Sequence, residues 1–123
     1  MEVCWVEARA IKYCPEDSDF PNSVPGFSCK IAEVKGPFSG RPESHSNQHD
    51  LYVAISGKAR VKTGKLCNKI EEISDGEYRS DEMLTEHEFT LEAGESLIIP
   101  AGVAHTLLVD SGTYVQWVYK IDI

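Results

Sequence analysis

The clearest chemical signal is a histidine that follows two glycine turns. The segment GESLIIPAGVAH occupies residues 94–105. Gly94 precedes a short apolar run, Pro100 ends that run by withholding a backbone N–H, and Gly102 can adopt a positive φ. His105 then opens the next apolar strand. Its imidazole could bind a metal or transfer a proton, or it could be a core histidine that donates to a backbone carbonyl.

The spacing of this segment resembles the second conserved motif of the cupin superfamily at each defining glycine, proline and histidine. The motif usually ends with Asn four residues after the histidine, where this chain has Val109. The resemblance is firm over residues 43–109. It implies an all-β, double-stranded β-helix (jelly-roll) cupin barrel, with residues 1–123 as a single domain and a metal or ligand pocket around His105.

The first cupin motif is present in an altered form. It usually reads His-x-His, three or four residues, Glu, six residues and Gly. Counting back from Gly57 places Asp50 in the position of the Glu and His45 in that of the second histidine. Glu43 then takes the position of the first histidine. The resemblance implies that His45, Asp50 and His105 are metal ligands.

Strand periodicity favours the convergence of these side chains. Residues two apart share one face of a strand, so Glu43 and His45 point to one side, as do Asp50 and Tyr52. Two imidazoles with one or two carboxylates suit a divalent transition metal such as Fe, Mn, Ni, Co or Zn. A site with two histidines and one carboxylate leaves positions open for a substrate.

The fourth ligand and the catalytic residues are less constrained. On a regular strand His49 faces away from the side of Asp50, but a turn ending just before Asp50 would bring it inward in place of Glu43 as a metal ligand. Tyr52 shares the side of Asp50 and could bind substrate or donate a proton. Tyr52 and Glu43 are the candidate catalytic residues. His87 lies in a charged stretch and is expected to be solvated.

The elements that must position these residues are short strands. Turn residues recur at short intervals, and the runs between them are rich in Val, Ile, Leu and Tyr without helical period. This pattern predicts an all-β sandwich or barrel. Segments 14–26 and 74–86 are polar and are expected to be loops, with a short helix as the alternative for the second. The predicted strands cover residues 2–8, 27–34, 51–56, 59–63, 87–91, 96–99, 105–109 and 113–121.

Charge and length limit the partners. A formal net charge of −8 disfavours nucleic acid and anionic membranes. No apolar stretch approaches the roughly 18–20 residues that cross a bilayer. The first ten residues contain no apolar run of signal-peptide length, so a cytoplasmic protein with reduced cysteines is expected. Val3, Trp5 and Val6 suit a strand added across an interface, which predicts a homodimer that binds a small molecule.

Three functions fit these residues. The first is a metal-dependent enzyme of oxygenase or isomerase type that acts on a small polar metabolite. The second is a module that binds a small molecule without turnover, which the altered first motif favours. The third is a metal-free sugar epimerase or isomerase, with His45 as general base and Tyr52 as acid. We predict the first, because the ligand positions of both motifs hold ligand-capable residues; the barrel alone does not decide among the three.

Overall fold

The chain folds into antiparallel β-sheets. A computed structural model describes residues 26–123 in full and, before them, only the backbone of short strand segments and no side chains. Every regular element in this described part is a strand. In chain order the strands are β1 (Glu2–Glu7), β2 (Lys12–Tyr13), β3 (Ser18–Asp19), β4 (Ser23–Val24), β5 (Phe27–Lys35), β6 (Phe38–Ser39), β7 (Glu43–His45), β8 (Gln48–Ser56), β9 (Lys58–Cys67), β10 (Glu71–Ser74), β11 (Glu77–Arg79), β12 (Glu82–Glu92), β13 (Ser96–Ile99), β14 (Ala104–Val109) and β15 (Thr113–Asp122).

Two sheets build the barrel. One has the strand order β1-β5-β15-β8-β13, with β4 paired to β5. The other has the order β10-β11-β7-β14-β9-β12, with β6 paired to β14, while β2 and β3 pair only with each other. Neighbouring strands are mostly distant in sequence, as in a jelly roll, where the chain passes repeatedly from one sheet to the other. The predicted all-β jelly-roll fold is confirmed.

The core lies between the two sheets. Buried residues alternate with more exposed ones along β5, β8, β9 and β15, which is the period of a strand with one face turned inward. Val34 from the first sheet and Val61 from the second are both completely buried, and they belong to one hydrophobic cluster. This apolar packing fixes the strands that carry the polar site at one end of the barrel.

Two glycine turns have the geometry that the sequence requires. Gly57 joins β8 to β9 with φ of +79°, and a Cβ atom there would lie 2.2 Å from the carbonyl oxygen of Thr113. Only glycine avoids that clash and that strained backbone region. Gly102 precedes β14 with φ of +86°, as predicted from the segment before His105.

The predicted strands agree with the observed ones, but the prediction for residues 74–86 is wrong. That segment contains β11 and the first part of β12, and neither a long loop nor a helix. β12 is the edge strand of its sheet, and nearly all of its side chains are exposed, so its sequence lacks the alternation that marks a half-buried strand. Segment 14–26 falls almost entirely outside the fully described residues.

The N-terminal strand and the cysteines bear on two further predictions. In this single chain β1 pairs with β5, with Val3 opposite Val34 and Trp5 opposite Ala32, so a homodimer stays a prediction that this strand does not decide. Cys29 and Cys67 are free thiols. Among the described residues, no helix is long and apolar enough to cross a membrane.

Candidate metal centre

Four side chains from three strands converge at one end of the barrel. β7 supplies Glu43 and His45, β14 supplies His105, and β8 of the opposite sheet supplies Asp50. One ligand atom from each residue can be chosen such that all four lie within 4.8 Å of one another. Glu43 lies directly opposite His105 in the pairing of β7 with β14. The cluster therefore closes across both sheets, although its residues are up to 62 positions apart.

Two carboxylate oxygens and two imidazole nitrogens surround a common point. Asp50 Oδ2 lies 3.2 Å from His45 Nε2 and 3.3 Å from His105 Nε2. Glu43 Oε1 lies 3.4 Å from His45 Nε2 and 3.2 Å from His105 Nε2. Asp50 Oδ2 and His105 Nε2 are buried and misaligned for a hydrogen bond with any described group. Buried polar atoms without a partner are rare, and here two of them face the same point.

Both histidines are oriented through their other ring nitrogen. His105 Nδ1 lies 3.0 Å from the backbone carbonyl oxygen of Val103 and donates to it, which leaves Nε2 free to bind a cation. His45 Nδ1 bonds to the carboxylate of Glu77. The interpretation of His105 as a histidine bonded to a backbone carbonyl therefore applies to Nδ1, whereas Nε2 faces the carboxylates of the cluster.

An outer layer of charge supports the cluster. β11 pairs with β7 so that Glu77 lies opposite His45 and Arg79 lies opposite Glu43. The Arg79 guanidinium lies 3.2 Å from Glu43 Oε2 and 3.5 Å from Glu77 Oε2. Arg79 thus holds the carboxylate that faces the cluster and the one that orients His45.

Glu77 and Arg79, which lie on β11, are not among the predicted site residues. The polar composition of residues 74–86 predicts a loop or a short helix, which gives none of these side chains an expected direction. Their spacing is the sequence feature that could have identified them, because residues two apart, such as Glu77 and Arg79, share one face of a strand.

Without a metal ion, the carboxylates of Asp50 and Glu43 stay ionised and the His45 imidazole holds a proton. Burial alone would raise the pKa of Asp50, but the adjacent imidazoles of His105 and His45 outweigh burial and hold that pKa well below its usual range. The pKa of Glu43 is lowered by the same two neighbours against the same effect of burial. Burial alone would lower the pKa of His45, but the carboxylates around it raise it to about 10. A metal ion bound here would displace these protons.

A cavity of about 350 Å³ opens beside the cluster. Its walls include Glu43, His45 and His105 and the apolar side chains of β5 and β14. Tyr52 also lines it, with its ring edge-on to that of His105 at a centroid distance of 6.2 Å. Burial and then the nearby carboxylates raise the pKa of Tyr52, so the phenol keeps its proton. Tyr52 thus faces the cavity, as its parity with Asp50 predicted.

The remaining two histidines lie away from the cluster. His49 Nδ1 accepts a hydrogen bond of 3.0 Å from the backbone N–H of Ala101. The structure brings Glu43, not His49, to the fourth position of the group of ligand atoms. His87 is exposed on β12, as predicted. Metal binding by any of these residues stays a prediction.

The sequence matches no family model and no curated protein. Its structure matches KdgF from a Halomonas species, with a TM-score of 0.60 and 10% identity over 81% of this chain and 73% of that one. It also matches hydroquinone 1,2-dioxygenase from a Sphingomonas species with 4-hydroxybenzoate bound, with a TM-score of 0.61 and 16% identity over 82% of this chain and 62% of that one. The coconut allergen cocosin matches with a TM-score of 0.59 and 18% identity over 79% of this chain, which spans only 22% of cocosin.

These neighbours share the cupin fold, and identities this low establish the fold alone. The chain therefore has the double-stranded β-helix fold of the cupin superfamily, as the two motifs predicted. Proteins as different as a dioxygenase and a coconut allergen use this fold. Function must be argued from the site.

Proposed function

We propose that this protein is a metal-dependent enzyme in which Glu43, His45, Asp50 and His105 hold a divalent transition-metal ion. The observation that carries the proposal is the convergence of four ligand atoms within 4.8 Å of one another. Two atoms of this group are buried without a hydrogen bond. A cation between the four residues would satisfy both of them.

The donor set suggests which ions fit. Two imidazole nitrogens with two carboxylate oxygens suit Fe, Mn, Co, Ni or Zn, whereas Ca²⁺ and Mg²⁺ prefer sites made of oxygen alone. When bound, such an ion supplies Lewis acidity toward an oxygen of the substrate.

The surrounding residues would position the ligands and the substrate. Glu77 fixes the ring of His45, and Arg79 fixes the carboxylate of Glu43. Tyr52 presents a phenol that holds its proton beside the cavity, and the Lys120 ammonium lies 3.0 Å from Asp50 Oδ1. Groups that can donate a proton to a molecule in the cavity favour an enzyme over a protein that binds a small molecule without turnover. A small molecule that fits about 350 Å³ would be the substrate.

A metal-free isomerase is the weaker alternative. It needs His45 as a neutral base, but the carboxylates around His45 raise its pKa to about 10 after burial has opposed them. At neutral pH the metal-free site would therefore present an imidazolium ion, which cannot accept a proton. Activity that survives chelation would favour this alternative.

The test is elemental analysis of protein purified without chelator or nickel resin. The His105→Ala variant removes a buried ligand, and His87→Ala removes an exposed histidine on β12 as the matched control. We expect close to one transition-metal ion per chain in the wild type and in His87→Ala, and almost none in His105→Ala. Circular dichroism checks that both variants fold. Metal content that is unchanged in a folded His105→Ala would contradict the proposal.

A further inference from the structure

Most cations around the main cavity are already neutralised. Arg79 holds Glu43 and Glu77. Arg41, at the cavity wall, forms ion pairs with Asp81 at 3.0 Å and with Glu71 at 3.3 Å. Neither guanidinium is free to bind an incoming anion without giving up two carboxylates.

A second cavity of about 180 Å³ adjoins the first and is lined by Ser28, Lys30, Val118 and Lys120. Val118 and Lys120 also line the main cavity, so the two spaces share one wall. Any ligand extending from the metal centre past Lys120 would enter the second cavity.

The two lysines lie on neighbouring strands, one position apart along the inner face. In the pairing of β15 with β5, Val118 lies opposite Lys30 and Lys120 lies opposite Ser28. Lys30 and Lys120 are therefore diagonal neighbours on the inner face of the sheet, at a typical Cα separation of about 7–8 Å. Their flexible side chains can reach the two oxygens of a single anion from that separation.

Both ammonium groups keep donors that no side chain of residues 26–123 occupies. Lys120 donates to Asp50 Oδ1 at 3.0 Å and lies 3.5 Å from His45 Nε2, so at least one of its three N–H groups remains. Lys30 makes no ion pair with any side chain of residues 26–123. The second cavity therefore combines the Lys120 ammonium, the Lys30 ammonium, which is unpaired among the side chains of residues 26–123, and the hydroxyl of Ser28.

We propose that the second cavity is an oxyanion subsite, which binds the carboxylate or phosphate of a small organic acid whose other end reaches the metal centre. The second half of this statement rests on the proposed function, whereas the anion subsite itself does not. Val118 lines both cavities and would contact a short carbon linker between the two ends. The substrate class is thus a small acid with oxygen functions at both ends.

The subsite is tested by NMR titration of metal-free protein with acetate and, separately, with inorganic phosphate. We expect amide shifts centred on residues 28–30 and 118–120, with the tighter of the two probes identifying the anion. Lys30→Gln should weaken this binding roughly tenfold, the value of a charge-assisted hydrogen bond. Lys35→Gln removes the same charge from the opposite face of β5 and should leave binding unchanged. Shifts elsewhere, or equal weakening in both variants, would overturn the proposal.

A second titration separates this proposal from the metal proposal. Glutarate carries two carboxylates, and it should bind metal-loaded protein more tightly than acetate does, with the difference lost in Lys30→Gln while metal content stays intact. If the protein holds no metal but acetate or phosphate still binds at Lys30, the proposed metal function fails and the subsite stands. If metal is bound and Lys30→Gln binds glutarate like the wild type, the subsite fails and the metal function stands.

Discussion

The two ends of the main cavity differ in polarity. At one end Ala32, Val34 and Leu107 pack against each other as apolar walls, and the local polar pair is satisfied because Tyr114 donates to Gln116 Oε1 at 2.8 Å. At the other end, acids and imidazoles crowd together, and Asp50 Oδ2 and His105 Nε2 lack hydrogen bonds. The same strands, β5, β8, β14 and β15, run through both ends.

This difference separates stability from function. Apolar burial at the first end stabilises the fold without any ligand. The second end buries charge, which costs free energy unless the charges are paired and hydrogen-bonded. Such a site is expected where a fold gives up local stability for chemistry. Changes at the polar end should therefore affect metal binding, and changes at the apolar end should affect unfolding.

The largest effect after loss of a ligand should come from Glu77→Gln. The substitution removes the carboxylate that orients His45 without touching the ligand atoms. Loss of such an outer partner typically weakens metal affinity about 10- to 100-fold. Competition with a fluorescent chelator measures the change. The control is Glu88→Gln, since Glu88 is an exposed residue on β12 that pairs with Arg60. Equal effects of the two substitutions on metal affinity would show that Glu77 has no specific role in orienting His45.

Val34→Ala should produce the reverse pattern. Val34 is completely buried at the apolar end, and losing two methyl groups from its side chain should lower the free energy of unfolding by about 2 kcal/mol. Metal affinity should stay at the wild-type value. Urea unfolding and the chelator competition measure the two quantities on the same preparation. A variant that loses metal but not stability would show that the two ends are not independent.

The stability of the metal-free and metal-loaded proteins should depend differently on pH. In metal-free protein the pKa of His45 is raised to about 10, so its protonation stabilises the fold fully below the unfolded pKa of about 6.5. That stability is lost as the pH rises through about 10. Metal needs the neutral imidazole, so its affinity should increase about tenfold per pH unit for each proton displaced. The gain in affinity offsets the loss of metal-free stability, so the stability of the metal-loaded protein should stay nearly constant in this range. Thermal unfolding with and without metal from pH 6.5 to 10 measures both trends, and an equal fall in both proteins would contradict this assignment.

The smallest effect should come from Tyr114→Phe. The substitution removes one hydrogen bond, to Gln116, and should lower the free energy of unfolding by about 1 kcal/mol. Metal content should not change. Loss of metal in this variant would mean that the polar pair at the apolar end supports the metal centre.

The sequence was most informative where backbone geometry restricts residue choice. Gly94, Pro100 and Gly102 define turns that few other residues allow, and they locate His105 at the start of β14. His45 and Asp50 followed from motif spacing counted from Gly57. Strand parity then placed Tyr52 at the cavity.

Contacts made across strands could not be read from the sequence. Glu77 reaches His45 from 32 positions away through the pairing of β11 with β7, and Lys120 reaches Asp50 from 70 positions away. No local pattern encodes these register choices. The sequence predicts only the second part of β12, because an edge strand with both faces in water shows no hydrophobic alternation.

The most direct test of the proposed metal centre is a crystal structure of the natively loaded protein with anomalous diffraction recorded at the absorption edge of its metal. We expect one anomalous peak, about 2.0–2.2 Å from the Nε2 atoms of His45 and His105 and near the carboxylates of Glu43 and Asp50. A peak at His49 or His87, or ordered water alone between the four residues, would contradict it.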